Sequence, residues 1–393
     1  MPKNIVFCAD GTWNGPGKDF DNHPVAAYPS NVLKLFQWLS GQNTPQAQAY
    51  AGEAERVEFD PHSATRLQVA KYLDGVGYDS NWLVKYLGGA FGAGIITRIV
   101  RGYTYISRNY QPGDRIFLIG FSRGAYTARA LARLILQQGL LDASQLDLND
   151  KEKAYRWGCA VWAQHRKSVQ TGHGLTHILD LLYNLPGFFS SPPQAEQMVK
   201  NIPIQAIAVW DTVGALGIPE YEGEDKRIDA FRFADSHLNE RVAYGFHAIS
   251  LDEQRVDLTP SLWSARANVT QTLFPGAHAD VGGGYPLSDQ ESELSDGALV
   301  WMQRQLSHPS LGAPVRFGAV PEGVAPSALG VAHQPWISGQ FATVSVKTAM
   351  RNFPNGQSLQ LDASVEERIN GGWVKADRTL QPAAYKPANI PDS

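Results

Sequence analysis

Cysteine is almost missing from this sequence. Cys8 and Cys159 are the only two in 393 residues, which excludes a disulfide framework and a cysteine-based zinc site. An excess of one charge is missing too. The 34 Lys and Arg stand against 38 Asp and Glu, a net charge of −4, which argues against a nucleic-acid binder that relies on bulk charge. Long hydrophobic runs are also lacking. No window approaches the ~18 uncharged apolar residues of a spanning helix, and the longest apolar stretch, Tyr86 to Ile96, contains four glycines. The start, Met1 to Asp10, meets a charge at Lys3 and is too short for a signal peptide. The cytoplasm is therefore the default compartment expected, although a secretion machine that reads no cleavable signal leaves no trace in a sequence.

What is present fits a folded enzyme. Hydrophobic residues make up 43% and charged residues 18%, the balance of a soluble globular chain rather than a disordered one. A chain of this length buries roughly three quarters of its unfolded surface and needs no metal or disulfide staple. Domains of ~150 residues would give two or three units, but α/β folds run longer as one.

The order of patterns points to an α/β fold. Ile5 to Ala9 is an apolar run closed by Asp10-Gly11-Thr12-Trp13, the mark of a buried strand feeding a loop. Asn31 to Leu39 has helical apolar spacing, with Ser30 placed to cap it. Tyr72 to Gly77 reads as a second strand entering a turn. Gly88 to Gly94 is glycine-rich but lacks the endings and spacing of a phosphate loop. Ile116 to Ile119 is strand-like, Gly120-Phe121-Ser122-Arg123-Gly124 follows at once, and Ala125 to Leu136 reads as a helix. Strand, tight turn and helix are the context that a G-x-S-x-G motif requires. Further strands are expected at Ile204 to Trp210 and Ala267 to Phe274. Residues 143–200 read as a largely helical insertion, and 312–393 as an irregular part packing on the core. The expected whole is one α/β-hydrolase-like domain over 1–393, with a doubly wound, mostly parallel sheet.

A serine hydroxyl is a poor nucleophile unless a base, a group orienting the base, and donors for the oxyanion surround it. The sharp turn at Ser122 would lift its hydroxyl out of the sheet. Gly120 and Gly124 are needed because a β-carbon there would strike the neighbouring strand and helix. The backbone N–H of Arg123 opens a helix and is a natural oxyanion donor. Gly11 and Thr12 are the candidates for the second donor. In this fold class the acid and then the base follow later strands. Asp211 follows Ile204–Trp210, with turn capping as its structural alternative. His278 sits in a glycine-dense loop after Phe274, with a plain surface-loop histidine as its alternative. His247, read as part of a helix and its exit, is a rival base, and Asp280 is a rival acid. Asp10 is out of place beside an oxyanion. It either bonds backbone amides and holds its loop, or binds a cation together with Asp280. No cofactor is expected.

With these residues in view, the chain resembles the catalytic domain of type VI secretion phospholipase effectors, family one. The matching segments are Ile5 to Asn14, Asp74-Gly75-Val76-Gly77, Gly113 to Ala125, Trp210-Asp211-Thr212-Val213-Gly214, His247 to Arg255 and, most specific, Phe274 to Tyr285. Ser364 to Arg368 and Tyr385 to Pro391 look like closing motifs. The resemblance implies an α/β-hydrolase core with the triad Ser122, Asp211 and His278. It also implies hydrolysis of phospholipid esters, contact with a membrane surface, and a secretion or immunity partner. It matches a catalytic region, and no long C-terminal membrane-anchoring part is expected. The apolar stretch Ile178 to Phe189 is expected either to bind acyl chains or to pack within its own subdomain. A soluble-ester esterase, a thioesterase, an amide hydrolase and an inactive binding module share the same residues and stay open.

Overall fold

The computed structural model describes residues 2–11, 17–18, 24–25, 28–44, 52–75, 91–169, 193–213, 237–337, 347–354, 357–374 and 383–391. Strands β1 (Asn4–Ala9), β2 (Gln42–Asn43), β3 (Glu53–Phe59), β4 (Arg66–Leu73), β5 (Arg115–Phe121), β6 (Ile204–Trp210), β7 (Val242–Ser250), β8 (Val269–Phe274) and β9 (Leu359–Leu361) form one sheet among these residues. Its order is β9-β8-β7-β6-β5-β1-β4-β3-β2. Every pairing from β9 to β4 is parallel, and only β2 and β3 run antiparallel at one edge. The α/β class and mostly parallel sheet are as expected.

Parallel strands need cover on both faces, and their sequences show it as unbroken apolar runs. All six residues of β1 are buried. Its side chains alternate between two cores. Ile5, Phe7 and Ala9 join Ile116 and Leu118 under helices α2 (Phe91–Asn109), α3 (Arg123–Gln138) and α4 (Lys151–Val169). Val6 and Cys8 join Phe117 and Ile119 under α1 (Asn31–Trp38) and α6 (Glu293–Ser307). A short helix, α5 (His278–Gly282), follows β8, and α7 (Ala363–Asn370) follows β9. Both cysteines lie inside the cores, and burial pushes their thiols up, Cys159 to about 11.

The sequence reading needs several adjustments. Ser30 caps α1 as expected, accepting from the Leu33 N–H. The strand expected at Tyr72 starts six residues earlier, at Arg66, and ends at Leu73. The segment around His247 is strand β7, not a helix. In the insertion, α4 packs Ala154, Val161 and Trp162 into the core shared with α2 and α3. The stretch Ile178 to Phe189 lies outside the described residues, as do Phe341 to Val346. In the C-terminal part, β9 adds to the edge of the main sheet and α7 follows it.

The switch in strand order falls at β1, between β4 and β5. Ligands of open α/β sheets bind beyond the carboxyl ends of the strands at such a point. Here β1, β4, β5 and β6 end within a residue of one another, and β7 and β8 run two residues further. Ala9 pairs with Leu73 and with Gly120, Phe121 with Trp210, Trp210 with Ala248, and Ser250 with Phe274. Residues 10, 122, 211, 251 and 275 therefore all emerge along one edge.

The cover of that edge is pinned by buried charge. Lys34 on α1 donates to Asp296 on α6 at 2.6 Å, with both side chains nearly out of water. Lys34→Met leaves Asp296 without its cation. Chemical denaturation is expected to show a loss of about 3–5 kcal/mol, the range for a buried pair broken on one side.

Candidate active site

Ser122 lies between β5 and α3 with φ 56° and ψ −123°, a conformation that costs a non-glycine residue about 1–3 kcal/mol. Its N–H donates to the Trp210 carbonyl at 3.1 Å, and its carbonyl accepts from Tyr126 at 3.2 Å. Its hydroxyl makes no capping bond to its own helix. The serine is therefore not an ordinary cap. The flanking glycines show why the turn is so tight. A β-carbon on Gly120 would lie 2.4 Å from the Gly124 carbonyl oxygen, and one on Gly124 would lie 2.1 Å from that of Ala9.

Asp211 is fully buried just past β6, with φ 36°. Its Oδ2 lies 2.5 Å from His278 Nδ1. Its Oδ1 accepts the Ser250 N–H at 3.0 Å. Arg351 grips the same carboxylate with two nitrogens, Nη1 to Oδ1 at 2.7 Å and Nη2 to Oδ2 at 2.8 Å. Burial by itself would raise this carboxyl. The Arg351 charge and the hydrogen bonds from His278 and Arg351 override it and hold the group well below the usual carboxylate range. Sequence reasoning missed Arg351, because it stands 140 residues from Asp211 and belongs to no motif.

His278 opens helix α5 rather than hanging in a loop. Its ring lies against that of Phe121, the residue before the serine, tilted by 35° with centroids 4.6 Å apart. The same helix presses on that ring from further along. A β-carbon on Gly282 would meet Phe121 at 1.9 Å. The His278 N–H donates to Glu253 Oε2 at 3.0 Å, and Glu253 is in turn held by Arg255 through bonds of 2.8 Å.

The rivals are occupied elsewhere. His247 is buried in β7, and its Nε2 accepts the Thr212 N–H at 3.1 Å. Burial, then the Arg129 charge, lowers its ring to about 3, so it serves as a neutral acceptor beneath the Asp211 turn. Asp280 meets His333, with Oδ1 2.6 Å from Nδ1 and Oδ2 accepting the His333 N–H at 3.0 Å. Oδ2 also accepts the Ala277 N–H at 2.8 Å. The Tyr285 ring stacks on His333 at 3.4 Å. This second Asp–His pair braces α5 from behind and was not foreseen.

Asp10 bonds its own loop. Its Oδ1 accepts the Gly11 N–H, and its Oδ2 accepts the hydroxyls of Ser30 and Tyr72, all at 2.6 Å. Asp10 and Asp280 thus each have separate partners, and no group of three or more metal-ligating side chains forms among the described residues. The Gly11 N–H is engaged by Asp10 in this conformation, and Thr12 lies outside the described residues. The Arg123 N–H is at the start of α3, where the helix dipole favours negative charge.

The family described as "T6SS, Phospholipase effector Tle1-like, catalytic domain" matches residues 3–305. The chain belongs to that family. Ser122, Asp211 and His278 fall inside the matched region, whereas His333 and Arg351 lie beyond it. The uncharacterized protein YEL023C of Saccharomyces cerevisiae is 32% identical over 140 residues, 35% of this chain and 18% of the yeast protein. An uncharacterized protein from Pseudomonas aeruginosa aligns in structure with a TM-score of 0.45 and 20% identity, covering 83% of this chain and 48% of that one. The Tle1 effector bound to the VgrG spike from the Type 6 secretion system aligns with a TM-score of 0.37 and 15% identity, covering 73% and 52%. The chain thus spans about half of each of those structures and less than a fifth of the yeast protein. No described helix is long and apolar enough to cross a membrane.

Gly124→Ala drives a methyl into backbone and is expected to lower the unfolding midpoint sharply. Gly297→Ala, on α6 with open space around its β-carbon, is expected to raise stability by up to about 1 kcal/mol. For Asp10, burial pushes the carboxyl from the ordinary 3.8 up to about 7 against its three donors. Between these values the folded chain holds a proton that the unfolded chain releases, so this contribution to stability falls as pH rises from about 4 to 7 and is flat above. Asp252, raised to about 6 by burial, adds the same sign over a narrower window. Unfolding midpoints of Asp10→Asn across pH 4–8 are expected to depend on pH less steeply than those of the wild type.

Proposed function

We propose that the chain is a serine carboxylic-ester hydrolase of the lipase and phospholipase type, built on an α/β-hydrolase core. The observation that carries this reading is the strained Ser122, whose hydroxyl is left off its own helix, next in chain to the Phe121 ring against which the buried His278–Asp211 pair packs. Membership of a phospholipase effector family gives the substrate class.

In the proposed reaction the Ser122 oxygen attacks the acyl carbonyl carbon while His278 Nε2 takes the serine proton. Asp211 holds the other ring nitrogen protonated and stabilises the imidazolium. The oxyanion takes the Arg123 N–H and a second donor from the loop after β1. Gly11 is engaged by Asp10, so Thr12 is the remaining candidate for that donor. One such donor is worth about 10²- to 10³-fold in turnover. Collapse of the tetrahedral intermediate breaks the ester C–O bond, and the His278 proton passes to the departing alkoxide. Water, deprotonated by the same ring, then releases the fatty acid and regenerates Ser122.

No cofactor enters this scheme. The family description names type VI secretion, so delivery by a signal-independent machine, with a secretion or immunity partner and contact with a membrane surface, belongs to the same proposal.

The test is hydrolysis of p-nitrophenyl esters of rising chain length, with phospholipid vesicles alongside. Wild-type activity is expected to rise with chain length and extend to vesicles. Ser122→Ala is expected to lose roughly 10⁴-fold or more in kcat while keeping its unfolding midpoint. Wild-type-like turnover in that variant sinks the nucleophile assignment. Activity confined to short soluble esters removes the phospholipase assignment. Failure of the wild type to react with a fluorophosphonate points to a binding module instead.

A further inference from the structure

We infer that Arg351 is a positioning residue for the proposed hydrolysis: its two-nitrogen grip on Asp211 fixes the acid as an anion and sets how strongly His278 takes up a proton. The inference rests on the reading above and adds to it a residue from beyond the family-matched region.

The grip is over-determined. Besides the two Asp211 oxygens, Nη1 donates to the Ser250 carbonyl at 2.7 Å and Nη2 to the Leu258 carbonyl at 2.5 Å. The Arg351 carbonyl accepts from Asn389 Nδ2 at 3.2 Å, and Asn389 also reaches the Leu251 carbonyl at 2.9 Å. The guanidinium is therefore held to the loops after β7 as firmly as to Asp211, and its planar fork matches the carboxylate.

The consequence concerns charge. A lone buried aspartate would stabilise the imidazolium of His278 strongly. Here His278 faces an aspartate whose charge is already balanced. The other groups around the ring repeat the pattern. Glu253, which accepts the His278 N–H, is balanced by Arg255. Asp280, two positions along α5, is tied to His333. Both facing carboxylates are thus paired to guanidiniums, and removing either cation leaves an unbalanced negative charge beside the ring. The same ion pair keeps Asp211 from protonating in its dry site and from turning away from the ring.

Three variants separate this role from simple scaffolding. Arg351→Met keeps reach and removes charge. Arg351→Gln keeps one donor and removes charge, and it carries the test should Arg351→Met not fold. Arg351→Lys keeps charge and loses the fork. The acid limb of kcat/KM against pH is measured on an ester that the wild type cleaves. In parallel, the His278 ring is titrated by NMR with labelled histidine, its signal assigned from His278→Asn. In Arg351→Met or Arg351→Gln, both the limb and the ring titration are expected to move to higher pH by about one unit, the size expected when one nearby charge is removed from a partly shielded site. Arg351→Lys is expected to move them by less than half as much while kcat falls about tenfold. A folded uncharged variant whose His278 titrates with the wild type overturns the proposal, as does a lysine variant that shifts as far as the glutamine one. The ring titration does not depend on turnover. If the wild type proves inactive on every ester, the hydrolase reading fails while the NMR arm still decides the role of Arg351.

Discussion

A carboxylate taken wholly out of water must have its oxygens met by donors, and at Asp211 that demand ties together four distant parts of the chain. The Ser250 amide comes from β7, the imidazole from α5 and the guanidinium from residue 351. The aspartate itself sits at the end of β6 in a left-handed conformation. Its positive φ turns the carboxylate back across the strand ends. The His247 ring beneath it accepts the next amide, Thr212, so the turn leaves no buried N–H unpaired there. Each of these contacts is ordinary alone. Together they fix one side chain in one orientation, which is what an acid that must select a single imidazole tautomer requires.

The sheet makes such convergence possible. Adjacent parallel strands that end within two residues of one another deliver their next residues to one edge, beside the reversal of strand order at β1. Two helices with opposite tasks close it. α3 leaves from Ser122 and buries most of its length. α5 is only five residues long and is wedged between the Phe121 ring and the Asp280–His333 pair. Its base is thus clamped on one side by the residue before the serine and on the other by a second histidine–carboxylate bond.

Much of this was legible in the sequence. A strand, the G-x-S-x-G turn and a helix are local patterns, and Ser122 sits where they predict. Asp211 follows a short apolar run and His278 an alternating one, both read as strands, so their place at the sheet edge came with the topology. The Ser30 cap was legible for the same local reason. His247 was misread because Tyr244 to Ile249 is a short apolar run that fits a buried strand or a helix equally well. Arg351 and His333 were invisible, because nothing in their neighbourhoods marks an arginine or histidine that will be buried. Their partners are fixed by tertiary contacts 140 and 53 residues away. Asp10 was expected to bond backbone amides, and it does so at Gly11, which takes up an amide that was also a candidate oxyanion donor.

The tethering of the sheet edge by residues 333, 351 and 389 also orders events in time. A chain is made from its N-terminus, and its parts fold as they emerge. The strands carrying Ser122 and Asp211 can pair while the segment that neutralises Asp211 has not yet been synthesised. Until it arrives, a fully buried aspartate is uncompensated and the edge cannot settle. A nascent chain that has not yet made residue 351 is therefore held short of competence, and the contact that settles the edge is also the one that completes the site.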